Sequence, residues 1–114
     1  MKDIIAKIKL NPSEINFQEI INFIDENFDF TPTKFKNGEI INEAGQNNGS
    51  CKLFSFGKLA KLTKQETLNC FGDYYRIDVL KNTEGTDHQN IRNFILFGWE
   101  GIDFEQEALK PKMA

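Results

Sequence analysis

Phe17, Ile20, Ile21, Ile24 and Phe28 recur at i, i+3, i+4, i+7 and i+11, the spacing that lays one apolar stripe along an α-helix. No other feature constrains the fold as strongly, because a helix carrying that stripe must bury it against other elements. Two start signals precede it. Asn11-Pro12 and Asn16 are each followed three residues on by an acid, Glu14 or Glu19, as a capping box requires.

Phe30-Thr31-Pro32-Thr33-Lys34-Phe35 breaks the helical period. Asn37-Gly38 then lies between Phe35 and Ile40-Ile41, which predicts a short hairpin over residues 33–42. Its central Asn-Gly pair would adopt the two positive φ angles of a type I′ turn. From Asn42 to Ser50 there is no large apolar side chain, so this stretch reads as a loop. Leu53, Phe54, Gly57 and Ala60 line the next helix, with Ser50 as its expected N-cap and Cys51 in its first turn. Thr63-Lys64-Gln65-Glu66 is another capping box, opening a helix striped by Leu68, Phe71, Tyr75 and Val79. Gly72 falls inside that stripe. A mid-helix glycine costs about 1 kcal/mol relative to alanine, so its presence points to the close approach of another backbone. Thr86-Asp87-His88-Gln89 has the form of a third box, followed by inward Ile91, Phe94 and Ile95, with Gly98 near the end. The expected fold is α+β and mainly helical: about four helices in one core with a short β-hairpin near residues 33–42.

A chain of 114 residues matches one domain, which buries roughly two-thirds of its unfolded surface. Eleven Phe against two Tyr and one Trp mean that most aromatic surface has no polar tip and belongs in a core. No repeat or linker divides the sequence, so a domain over residues 11–106 is expected, preceded by an amphipathic segment, 1–10, and followed by a frayed tail, 107–114. Lys2, Lys7 and Lys9 interleave with Ile4, Ile5, Ile8 and Leu10, a pattern too broken for a membrane span and suited to a docking helix. The net charge of −3, without clustered Lys and Arg, argues against nucleic-acid binding. Cys51 and Cys70 lack CxxC spacing, so reduced thiols in a cytoplasmic protein are expected, with no zinc site and no cofactor.

Several uninterrupted runs carry a family resemblance. They are Phe30-Thr31-Pro32-Thr33 with Asn37-Gly38, Asn42 through Phe54, Cys70-Phe71-Gly72-Asp73-Tyr74-Tyr75-Arg76, and Asp87 through Phe94 with Gly98-Trp99. Together, over about Asn11 to Phe104, the chain resembles the HopJ family of bacterial type III effector proteins. That resemblance implies secretion into host cells, and so a host protein as partner, but assigns no reaction, cofactor or catalytic residue. Type III export uses a flexible N-terminal stretch, whereas residues 1–10 are patterned as a helix, so residence in the bacterial cytoplasm is the expectation.

Three polar segments suggest a site: the loop with Glu43, Asn47 and Asn48, the segment with Asp73, Tyr74 and Arg76, and the helix start with Asp87, His88 and Asn90. A surface built from them would hold a small molecule or a partner protein. A second reading is a small cysteine hydrolase, because a helix N-terminus stabilises a thiolate. Cys51 would be the nucleophile, His88, the only histidine, the base, and Gln46 the oxyanion donor. Glu43, Asp73, Asp87 and His88 are residue types for a hard metal but lack ligand spacing. A third reading is structural, with the polar loop satisfying backbone groups beneath the hairpin and no ligand at all.

Overall fold

Asn16 starts the striped helix. Its side chain accepts from Glu19 N–H at 2.8 Å while its own N–H donates to the Glu19 carboxylate at 3.3 Å. The computed structural model describes residues 2–112. In it α1 spans Lys2–Leu10, α2 Phe17–Asn27, α3 Asn48–Leu59, α4 Lys64–Asn69 and α5 Gln89–Phe97. Short 3-10 turns cover Pro12–Glu14 and Gly98–Gly101, and a π-helical turn covers Tyr74–Val79. The fold is α+β and mainly helical, as the patterning predicts. Asn11 heads only the first 3-10 turn.

The α1 segment docks through Ile8, which is fully buried, while Lys7 and Lys9 pair with Glu19 and Glu66 at 2.8 and 3.0 Å. Those two acids close the capping boxes of α2 and α4, so α1 is tied to both helix starts. α3 is buried nearly all round, with Cys51, Leu53, Phe54, Ser55, Phe56 and Gly57 shielded, which marks it as the central helix. Around Phe54 gather Phe35, Phe71, Phe94 and Trp99 at centroid distances of 4.9 to 6.4 Å. Trp99 Nε1 donates to the Leu62 carbonyl at 3.0 Å. Six phenylalanines, Phe28, Phe35, Phe54, Phe56, Phe71 and Phe94, are core as expected; Phe17, Phe23, Phe30 and Phe104 are half-buried against it, and Phe97 stays 40% exposed.

The hairpin forms from β2 (Phe35–Asn37) and β3 (Ile40–Asn42), paired antiparallel, and β4 (Ile102–Phe104) adds to the other edge of β2. The turn differs from the expected one. Asn37 faces Ile40, so Gly38 and Glu39 are the central residues, and only Gly38 has positive φ, at 61°. That is the requirement of a type II′ turn, which wants glycine first. A second small sheet pairs β1 (Phe28–Phe30) with β5 (Leu109–Pro111). The expected frayed tail is therefore corrected for residues 108–111: Ala108 and Leu109 are buried, and the strand pairing holds them. Residues 113–114 of that segment lie outside the described residues.

Two helix starts and one helix interior are also corrected. α3 begins one turn earlier than Ser50 suggests, with Asn47 at the N-cap, although Cys51 still lies close to the start. The Thr86 box does not form: His88 is the N-cap of α5, with no side-chain cap, and Gln89 Nε2 bonds to the Thr86 carbonyl instead. Gly72 is not inside a helix. α4 ends at Asn69, and Gly72 takes φ 61° in the turn that redirects the chain into the π turn. The expected close approach is present, because an added Cβ would meet Asn16 Cα and Phe17 N at 3.0 Å each.

A cleft at two helix N-termini

A cleft of about 390 Å³ opens where α3 and α5 begin, with the π turn as its third wall. It receives Asn47 and Ser50 from α3 and its cap, Tyr74 from the π turn, His88 and Asn90 from α5 and its cap, and Phe17 from α2. Of the residues singled out in the sequence, Asn47, Tyr74, His88 and Asn90 meet here, one or two from each of the three polar segments. Among the described residues, no Lys, Arg, Asp or Glu lines the cleft.

Its floor is a network of carboxamides. Asn42 Nδ2 donates to Asn90 Oδ1 at 3.0 Å, and Asn90 Nδ2 returns a bond to Asn42 Oδ1 at 2.9 Å. Asn47 Nδ2 reaches the same Asn42 oxygen at 2.7 Å, and Asn37 Nδ2 donates to the Asn90 carbonyl at 2.7 Å. Asn37, Asn42 and Asn90 are all buried, where polar groups need such partners; among the described residues only Asn37 Oδ1 in this network has none. The network ties the hairpin to the starts of α3 and α5, which fixes the cleft walls. Ser50 closes the polar loop expected to bind, whereas Asn42 was missed as a site residue. Asn42 could have been found: strand alternation puts it on the same face as Ile40 and, across the hairpin, Phe35, whose side chain is core, so an inward carboxamide was implied.

Neither Asn47 nor His88 caps its helix with its side chain. The first-turn N–H groups of two helices therefore border the cleft without help from their N-cap residues, and each helix start carries partial positive charge. Tyr74 packs edge-on to Phe17 at 5.5 Å and leans on His88 at 5.2 Å, so three rings share one wall. His88 Nε2 lies 2.9 Å from Asp78 Oδ2 and 3.8 Å from Asp87 Oδ2, which orients the imidazole.

The other expected residues serve elsewhere. Asp87 pairs with Arg92 at 2.6 Å, and that guanidinium holds its carboxyl below the usual range. Arg76 donates to the carbonyls of Ile15 at 2.6 Å and Pro12 at 3.1 Å, with Asp73 at 3.5 Å, so it fastens the chain ahead of α2. Glu43 and Gln46 close the loop on itself through Glu43 N–H to Gln46 Oε1 at 3.1 Å, and Asn48 is exposed. Among the described residues, Glu43, Asp73, Asp87 and His88 form no three-ligand group.

Cys51 is 1% exposed, and its thiol reaches the Thr33 carbonyl at 3.6 Å. Burial raises its pKa, opposed by the contacts to Thr33 and Ser55. A nucleophilic thiol needs the opposite shift and a base within hydrogen-bond reach, whereas His88 is engaged by Asp78.

The HopJ type III effector protein family matches residues 1–109. The chain belongs to the HopJ family. The match takes in α1, so the docked N-terminal helix lies within the HopJ region. A solved crystal structure, described as that of the unknown function protein VPA0580, is 49% identical to this HopJ chain with a TM-score of 0.97. The match covers 98% of this chain and 93% of that one. No curated protein matches. Among the described residues, no helix is long and apolar enough to cross a membrane.

Proposed function

We propose that this HopJ-family protein is a small binding module whose cleft takes an uncharged, planar molecule rich in hydrogen-bond acceptors. The observation that carries this reading is the lining itself: Phe17, Tyr74 and His88 supply ring faces, while two helix starts present N–H donors, and no ionised carboxylate, ammonium or guanidinium is among them. Rings favour a flat ligand, and first-turn amides favour acceptors. The volume lies within the range of roughly 300–1,000 Å³ typical of ligand clefts. Such a cleft also counts against the purely structural reading of the polar loop, since a network that only supported the hairpin would need no opening above it.

This reading holds in the bacterial cytoplasm and equally inside a host cell, where the effector family's route would deliver the protein. Its test is a chemical-shift titration of the full chain with nicotinamide, benzoate and benzamidine as neutral, anionic and cationic planar probes. Saturable shifts at Asn47, Tyr74 and Asn90 with nicotinamide above the other two are expected, and Ser50→Leu should abolish them. Absence of any saturable shift at the cleft with all three probes would overturn the reading.

A further inference from the structure

Helix amides alone would ask only for acceptors in a ligand. We infer that His88 adds the opposite requirement: its Nδ1 accepts from a ring N–H, so the cleft selects an aromatic lactam, a planar ring in which a carbonyl stands next to an N–H. This inference rests on the binding-module reading and names the ligand class within it.

In a neutral imidazole one nitrogen donates and the other accepts, and the partner of the first fixes the role of the second. Nε2 lies 2.9 Å from the Asp78 carboxylate, which can only accept, so Nε2 carries the hydrogen and Nδ1 keeps its lone pair. Asp87, 3.8 Å from the same nitrogen, favours the same tautomer. Among the described residues Nδ1 has no partner, and it is not closed off: the buried side-chain atoms left unpaired are Asn37 Oδ1 and Ser55 Oγ. Asp78 and the Tyr74 ring at 5.2 Å hold the imidazole, so the acceptor is placed before a ligand arrives.

The carboxamide oxygens of the floor are taken. Asn42 Oδ1 accepts from Asn47 and Asn90, and Asn90 Oδ1 accepts from Asn37 and Asn42, which fills both lone pairs of each. The Asn47 oxygen is open but stands on an exposed side chain. Donors are plentiful by contrast. Cys51 N–H bonds to the Asn47 carbonyl and Arg92 N–H to the His88 carbonyl, each at 3.0 Å, and these are the first helical bonds of α3 and α5. The N–H groups just ahead of them, on the lining residues Gly49, Ser50, Asn90 and Ile91, have no helical acceptor. A lactam edge offers its carbonyl to one of these amides and its N–H to His88 Nδ1, while its ring face lies on the aromatic wall.

The test compares 2-pyridone with N-methyl-2-pyridone, which lacks the N–H, by amide-shift titration of the full chain at pH 8. The lactam should bind about fivefold tighter. In His88→Phe, which keeps a ring face without a nitrogen, that preference should fall below about twofold, since any steric cost of the methyl group is common to both proteins. Ring-nitrogen spectra of the unaltered protein need no variant: Nδ1 should be unprotonated and should shift as 2-pyridone is added, while Nε2 keeps its hydrogen. A protonated Nδ1 in the free protein, equal affinity for the two pyridones, or a preference that survives in His88→Phe would each overturn the inference. Any of these with nicotinamide still saturating the cleft would leave a binding module without this selectivity, whereas failure of nicotinamide as well would remove both.

Discussion

Asn47 and His88 begin different helices, yet both hold the left-handed backbone conformation, at φ 53° and 49°, on the rim of one cleft. Outside glycine that conformation costs roughly 1–2 kcal/mol, with asparagine among the residues that tolerate it best. Strain of this kind gathers where a local geometry is put to use. Here it turns both N-cap side chains away from the first-turn amides. Asn47 spends its carboxamide on Asn42, and His88 its imidazole on Asp78.

Replacing Asn47 separates the backbone cost from the hydrogen bond. Asn47→Ala loses the bond to Asn42 and keeps an unfavourable φ, so it should destabilise by about 2 kcal/mol. Asn47→Gly loses the same bond but relieves the strain, and should cost less than about 1 kcal/mol. Urea unfolding of both variants checks this. Equal losses would mean that the left-handed conformation carries no cost at this position.

Both thiols should resist alkylation in the folded protein. Cys70 is fully buried, and burial raises its thiol from 9.0 to about 12, with Glu66 and Glu19 adding to the shift. The folded state therefore holds the thiol proton more tightly than the unfolded chain. That contribution to stability is complete below about pH 9 and is lost as pH climbs from there towards 12. Cys51 shifts in the same direction. Mass-spectrometric mapping of iodoacetamide adducts should show slow labelling of both until urea unfolds the chain, unchanged by His88→Ala. Labelling of Cys51 below pH 7 that vanished in that variant would restore the hydrolase reading.

Where a local rule acted alone, the sequence was legible. Asn16 with Glu19 and Thr63 with Glu66 close as capping boxes, because both partners of each lie within one turn. The Thr86 box failed for a tertiary reason: Arg92 takes the carbonyls of Asp87 and Asn82 and the Asp87 carboxylate, which holds that loop away from a helical start. β5 was invisible because its partner, Phe28–Phe30, lies about eighty residues earlier, and no periodicity in three residues announces such a pairing. The grouping of three polar segments was readable from composition. Which of their residues face the cleft was not, because Arg76 and Asp87 look as functional in sequence as Tyr74 and His88. Only the carbonyls around Arg76 and the guanidinium beside Asp87 show them to be fastened elsewhere.

Gly72 gives the sharpest contrast between the two levels, because they predict opposite signs. Inside a helix, as the Leu68-Phe71-Tyr75-Val79 stripe suggests, Gly72→Ala would stabilise by about 1 kcal/mol. In the fold, Gly72 has φ 61°, and a Cβ there would press on the backbone of Asn16 and Phe17, which cannot move without disturbing the cap of α2. Strain of roughly 1–2 kcal/mol and overpacking of about 1–3 kcal/mol should together destabilise by about 2–4 kcal/mol. Urea unfolding gives the sign, and the Glu19 amide resonance reports whether its bond to Asn16 survives. A stabilised variant with that resonance unmoved would mean that the chain continues helically through Gly72. The wall of the cleft formed by Phe17 and Tyr74 would then need a different explanation, since the turn at Gly72 is what brings α2 and the π turn together.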